Sequence, residues 1–391
     1  MRVKPPPSTV HAAFALKGLR AAPSQVLGNI RLVPLLRDRV CEDLRLARRK
    51  YEETLTVVDL GDRLAYCSTY VPHALVVSWT DDASPVGAFG TALAGPSDEK
   101  RLSGALRGVK LLHRMVKREG EQRLRLLPQH LALEGLLALH FKGPEIAWTE
   151  YSRRALSRGL SPRGELTVGG RGVAWLEEAL RLFEIHEGQC GVLLFIGDAL
   201  ASMFVVSHPD DYRDLHRTLL EDGFALDLLR AAEWSGQSPV LTGELQPESV
   251  SSLADLRSQV ARIREEVASF HVDIASGLVG RSLSIERVYR AGPFLLDRFL
   301  TDLDPGGENH IGELILSEDR TVQYARTYRL SSAQTRRVYL LQQLAACQWN
   351  LDLTAKALRT SRDALMVRLE RAGFGYLIAE HVLAGAKKRT R

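Results

Sequence analysis

The stretch Gly191-Val-Leu-Leu-Phe-Ile-Gly-Asp-Ala-Leu-Ala-Ser-Met-Phe-Val-Val206 decides the fold. Two apolar runs flank Gly197-Asp198, and such a pair supplies the backbone freedom and local hydrogen bonding that a tight hairpin turn needs. A hairpin wet on one side alternates apolar with polar residues. This one contains almost no polar residue, so both of its faces are covered and it belongs inside a sheet. Ser207-His208-Pro209-Asp210-Asp211 follows, with a capping side chain, a proline suited to a first turn and acids that complement a helix N-terminus. A helix through Tyr212, Leu215, Leu219 and Leu220 is the expected continuation.

Upstream, residues 30–35, 54–60, 64–70 and 74–79 are short runs rich in Val, Leu, Thr and Tyr, bounded by Gly-Asp, Pro or Asp-Asp, and read as strands. Residues 97–119 read as a helix: Ser97 offers the cap, Leu102, Leu106, Val109, Leu112 and Val116 share one face, and Gly120 closes it. Two further helical stretches in 143–186 are separated by a glycine-rich piece, 161–172. Downstream, 233–251 is a polar linker, and residues 252–274 form a helix whose Leu253, Leu256, Val260, Ile263 and Val267 suit either a core or a dimer seam. Residues 311–316 and 321–328, around Glu318-Asp319, make a second hairpin. The fold class is α+β: a flexible lead-in (1–24), a mixed sheet-and-helix sensor or scaffold domain (25–235), a helix-plus-hairpin connector (252–330), a trihelical helix-turn-helix (331–380) and a basic tail (381–391).

The 391 residues are 45% hydrophobic and 25% charged, which excludes collagen-like and wholly disordered chains. The net charge of +5 conceals opposed blocks: +6 over 1–150, −8 over 151–330 and +7 over 331–391. The last block is where a polyanion partner is to be sought. Cys41, Cys67, Cys190 and Cys347 stand alone, so neither a disulfide framework nor a zinc site is indicated, and a cytoplasmic setting fits. The longest apolar run, residues 191–196, is far short of the roughly 20 residues that span a bilayer, and no membrane partner is expected.

From Ser332 the pattern is helix, short helix, turn, helix. Val338, Leu341, Leu344 and Ala345 face one way on the first helix; the second, about 353–358, is alanine-rich and permits close crossing. Arg359-Thr360 make the turn, Ser361 offers a cap, and Leu365 and Leu369 point inward from the third helix, which ends at Gly373. In such a trihelix the last helix enters the major groove of DNA.

Trp349-Asn350, Ala355-x-Ala357-Leu358, Ser361-Arg362-x-Ala364-Leu365, Arg368-Leu369 and Ala372-Gly373 together resemble the helix-turn-helix of the Fis protein and of nitrogen-regulatory enhancer-binding proteins. The resemblance implies a homodimer on duplex DNA. It assigns a cap to Ser361, the start of the second helix to Asn350, a phosphate or base contact to Arg362 and backbone contacts to Arg368 and Arg371. Lys387 and Lys388 of the tail add non-specific attraction. Three departures stand out: Arg359 replaces the family's turn glycine, Met366 and Val367 replace polar residues, and Asp363 adds negative charge. A trihelix of this kind also serves as a dimerisation or docking module.

A second resemblance runs over about residues 25–235, carried by Leu32-Val-Pro-Leu35, Trp175, the 189–199 stretch, Phe204, Tyr212, Leu219-Leu220 and Ala225-Leu226-Asp227. These look like the ARG and rhodanese-phosphatase-superfamily-associated protein domains, bacterial domains named for association with ADP-ribosylglycohydrolases and phosphatase-like proteins. The resemblance implies a setting in ADP-ribose or NAD chemistry and brings no catalytic residues. Phosphate-loop, dinucleotide-loop and nucleophile-elbow motifs are missing from the sequence, so no enzyme and no cofactor is expected. His186-Glu187-Gly188-Gln189-Cys190 has the outline of a zinc-protease helix but carries Cys for the second His and a helix-stopping glycine. His208 with Asp210 and Asp211 reads as a capping turn, and Gly169-Gly170-Arg171-Gly172 as a connecting loop that could also nest an anion.

The expectation is a bacterial DNA-binding transcriptional regulator, its larger domain answering a small-molecule or protein effector. The alternative is an accessory protein of an ADP-ribose, NAD or nucleotide pathway whose trihelix serves dimerisation or partner docking.

Overall fold

The computed structural model describes residues 12–46, 183–197, 199–220 and 243–390, with shorter pieces at 65–68, 75–79, 85–89, 91–95, 109–110, 125–126, 137, 140–141, 224, 227–228 and 231. At its centre Gln189–Ile196 (β12) and Ala199–Val205 (β13) form the expected hairpin, with Gly197 at φ +61° in the turn. Leu193, Phe195, Met203 and Val205 enter one apolar cluster, and Val192, Leu194 and Phe204 enter another on the opposite face. Every second residue thus meets a different core, which is why neither strand could contain a polar face.

The sheet grows from this hairpin in both directions. Ile30–Leu36 (β4) pairs with β12, and Arg20–Ala21 (β2) and Gln25–Leu27 (β3) both pair with β4. On the other side come Val322–Arg329 (β17), His310–Leu316 (β16), Phe294–Thr301 (β15), Ser282–Ala291 (β14) and Ala12–Ala13 (β1), giving ten strands, all antiparallel. The expected 252–330 connector therefore supplies four strands of the same sheet as the 191–206 hairpin. The helix Pro209–Thr218 (α1) packs Tyr212 and Leu215 onto one face; its cap is His208, whose Nδ1 accepts from the Asp210 amide at 3.2 Å. Leu253–Ile274 (α2) starts at the expected Ser252 cap; Leu256, Val260, Ile263 and Val267 of its apolar row are half-buried, Leu253 is exposed, and His271 is its one fully buried residue.

Two smaller sheets use Leu44–Leu46 (β5), Ala65–Ser68 (β6) and Ala92–Ala94 (β9), and Leu75–Trp79 (β7), Pro85–Phe89 (β8), Val109–Lys110 (β10) and Arg125–Leu126 (β11). β10 corrects the helix expected over 97–119. Val109 and Lys110 pair with Gly87 and Val86, and edge pairing of a β-branched residue overrides the local helical period. The strand expected at 54–60 and Gly169, Gly170, Arg171 and Gly172 lie outside the described residues, as do the helices expected within 143–186 except for 183–186, which are not helical.

Four helices close the chain: Ser332–Ala346 (α3), Leu351–Ala357 (α4), Arg362–Leu369 (α5) and Glu380–Arg389 (α6). α6 corrects the expected basic tail. Leu383 and Ala386, three residues apart, are buried in the helical core, and Lys387, Lys388 and Arg389 sit in the last turn where the helix dipole favours cations. That core contains Val338, Leu341, Leu344, Leu365 and Leu369, and is continuous with Leu300, Ile311, Tyr328 and Leu330 at the end of the sheet. Among the described residues, no helix is long and apolar enough to cross a membrane.

Candidate functional site

The expected DNA-contacting residues lie on α5 and α6, at the caps of α4 and α5, and in the turn that follows α5. Asn350 caps α4, its Oδ1 accepting from the amides of Asp352 and Leu353, each at 3.0 Å. Arg359 adopts φ +52° in the turn, the left-handed conformation that glycine would occupy without strain. Ser361 caps α5, accepting from the Ala364 amide at 3.1 Å. Met366 is only 1% exposed, so it faces the core and takes nothing from the outer face of α5. The outer face carries Arg362 and Arg368, continued by Arg371 in the next turn; all three are exposed.

Acidic partners occupy part of this basic surface. Arg362 meets Asp352 at 3.1 Å, Lys387 meets Glu370 at 2.6 Å, and Arg389 holds Asp363 with two contacts at 2.6 and 2.8 Å. The Arg389 guanidinium keeps the Asp363 carboxyl below its ordinary range. Asp363, which the sequence left as a bare negative charge, is thus compensated by a residue of α6. Arg368, Arg371 and Lys388 have no acidic partner among the described residues.

The other polar concentration is inside the large sheet. Glu286, Arg298, Glu313 and Arg326 stand in one register row across β14, β15, β16 and β17, alternating in sign. Glu313 is fully buried, and Glu286 and Arg326 nearly so. Arg298 Nε donates to Glu313 Oε1 at 3.4 Å, and the Thr91 amide donates to Oε2 at 2.8 Å. Thr91 also donates its hydroxyl to the Tyr324 oxygen at 2.9 Å, and Arg326 Nε donates to the Tyr328 oxygen at 2.5 Å. Burial pushes the Tyr328 phenol up, with Arg326 pulling it back. On the opposite face Asp297 pairs with Arg287, and burial raises its carboxyl against that cation. Buried charges of this kind persist only when mutually compensated. The row can pin strand register and dock the 91–95 segment.

The minor candidates resolve simply. His186 to Cys190 is a turn at Gly188 (φ +73°) running into β12, not a zinc-binding helix. Asp211 is bound by Arg45 at 2.9 and 3.0 Å and by the Leu46 amide at 2.9 Å, so it ties β5 to α1. Cys41, Cys190 and Cys347 are free thiols, and the described residues contain no His/Cys/Asp/Glu group able to hold a metal ion.

The described fold and its interior define an α+β protein built on one large antiparallel sheet, with a charge-compensated row inside it and a four-helix unit at one end. The family model described as ARPP-2 matches residues 14–292, and the chain belongs to that family. The match reaches beyond the expected 25–235 on both sides, taking in Phe14, α2 and β14, and it stops before α3 to α6. No curated protein and no solved structure matches the chain.

Proposed function

We propose that this chain is a non-catalytic accessory protein, acting beside ADP-ribose, NAD or nucleotide chemistry, whose C-terminal helices serve assembly. Membership of the ARPP-2 family, whose name denotes association with ARG and rhodanese-phosphatase proteins, supports the setting. The observation that carries the assembly role is the core shared by α3 to α6 with Leu300, Ile311, Tyr328 and Leu330. A helical unit fixed to its sheet by a shared core is a rigid element of the kind that suits a partner-binding surface. Compensation of Asp363, Glu370 and Asp352 inside the chain points the same way.

Exposed Arg368, Arg371 and Lys388, together with the turn between α4 and α5, favour the second reading, dimeric binding to duplex DNA in transcription control. Fluorescence anisotropy of the full chain with labelled duplex separates the two. At 150 mM salt the expected outcome is at most the non-specific range, weaker than about 1 µM. Tighter binding makes the chain a DNA-binding protein and ends the accessory reading. A thermal-shift series with ADP-ribose, NAD and AMP tests the setting, and silence across all three removes it.

A further inference from the structure

We infer that the face of the large sheet turned away from α1 holds a site for a small monocarboxylate with a compact apolar body. A cavity of about 130 Å³ opens there between β14, β16 and the segment that follows β1. Its walls are Phe14, Leu283, Ile285, Leu314 and Leu316, and its rim carries Ala13, Ala15, Lys17 and Arg320. The volume is close to that of an apolar protein cavity of about 150 Å³ that stays dry and takes up benzene. An apolar pocket with Arg320, and beyond it Lys17, at its open rim calls for a ligand that is apolar at one end and anionic at the other.

The rim is built before any ligand arrives. Gly18 has φ +82°, and a Cβ there would lie 2.4 Å from Thr321 Cγ2, so only glycine lets the Lys17–Gly18 chain close onto the 317–321 turn. The Val322 amide donates to the Lys17 carbonyl at 3.0 Å and locks that approach. Arg320 sits at φ +67°, the left-handed position of the β16–β17 turn, which fixes where its side chain leaves the backbone. Asp319 holds the turn, accepting from the hydroxyls of Ser317 at 2.7 Å and Thr321 at 2.6 Å. Lys17 donates to the Asp319 carbonyl. Glu318 is taken by Arg290 at 2.6 Å, and Asp297 by Arg287. The Arg320 amide donates to the Ser317 carbonyl at 2.8 Å, while its guanidinium makes no hydrogen bond or ion pair among the described residues; it acts on the Asp297 carboxyl only at a distance, and that carboxyl is already held by Arg287, which leaves the guanidinium open to a second carboxylate. Phe14, stacked on Phe299 with centroids 6.3 Å apart, is pinned by backbone bonds to Arg281 at 2.9 Å and from Gly280 at 2.8 Å, so the cavity has a fixed wall.

The probe is hexanoate, titrated into the full chain and followed by ligand-detected NMR and thermal shift, with 1-hexanol and sulfate as controls. Hexanoate is expected to saturate with a Kd of about 1 mM, as suits a ligand of its size. Hexanol is expected to bind about tenfold more weakly, because it lacks the charge-assisted bond. Arg320→Gly removes that cation while relieving the positive φ, so it should lower hexanoate affinity about tenfold, leave hexanol unchanged and not lower the melting temperature. Ala15→Trp, at an exposed rim position, should close the cavity to both ligands while the chain stays folded. Absence of hexanoate saturation, equal affinity for hexanol, sulfate competing as well as hexanoate, or binding that survives Ala15→Trp would each overturn the site. None of these results bears on DNA or nucleotide binding, so the site and the proposed function stand or fall separately.

Discussion

Two sets of Arg–carboxylate pairs lie at opposite extremes of this molecule. Inside the sheet, Arg298 reaches Glu313 at 3.4 Å with Glu313 fully buried; on the helical unit, Arg389 grips Asp363 with contacts of 2.6 and 2.8 Å in the open. The better geometry is at the surface, yet the looser buried pair is the one the fold cannot give up. Water replaces a lost partner at the surface, whereas in the sheet a lost partner leaves a charge that nothing solvates. Distance measures how well a pair is arranged, and burial decides what its loss costs.

The sharpest way to break that contrast is Glu313→Ala. It strips the row of its central acid and leaves Arg298 and Arg326 facing each other across β16, so a loss of about 3–5 kcal/mol is expected in urea denaturation. A loss below about 1 kcal/mol would mean that the row is not held together by compensation.

Acid tests the buried interior as a whole. Burial, with nearby Arg329 and Arg281, lowers His310 to about 3, and burial beside Arg31 lowers His271 to about 4. In the unfolded chain both take up protons near pH 6.5, so the unfolded state binds more protons than the folded one below that pH. Stability is therefore full above about pH 6.5 and falls as the pH drops towards 4 and then 3, by up to about 1.4 kcal/mol per unit for each histidine. His310→Phe should flatten part of that slope in melts recorded from pH 7 to 4. An unchanged slope would place the acid sensitivity elsewhere.

Smaller effects belong to the helical unit. Ser361→Ala and Asn350→Ala each remove a cap and should cost about 1 kcal/mol, read as separate shifts in the denaturation midpoint. Asp363→Asn, at the far end of the scale, should leave the melting temperature where it was, despite breaking the closest geometry in the comparison. A marked drop would show that α6 is held by that pair and not by Leu383 and Ala386.

Legibility in the sequence followed the same division. The 191–206 hairpin, β4, the β16–β17 hairpin and α2 were readable because each carries its own apolar period and turn residues. β14 was not, since Glu286, Arg287 and Arg290 interrupt it with charges that make sense only opposite Arg298, Asp297 and Glu318. A lone charge in mid-strand among apolar neighbours, as in Gly312-Glu313-Leu314 or Ala325-Arg326-Thr327, was the available signal for the buried row. At the C-terminus the cap at Ser361 followed from local pattern, while the start of α4 at Asn350 and the glycine-type turn position at Arg359 came from the resemblance to the Fis helix-turn-helix. The pairing of Asp363 with Arg389 joins residues 26 apart and depends on α6, whose apolar side is short: Leu383 and Ala386 with half-buried Val382, followed by exposed lysines. The cavity rim was hidden for a like reason, since Lys17 and Asp319 are 302 residues apart.

The pairing of β1 with β14 also sets a timetable. Ala12 must wait for Leu283, some 270 residues later, before it has a strand to join. At roughly 5–20 residues per second of synthesis, that is a delay of about 15–50 s. The wall of the cavity is thus assembled from segments some 270 residues apart, and the earlier one stays without its partner strand until the later one has been made.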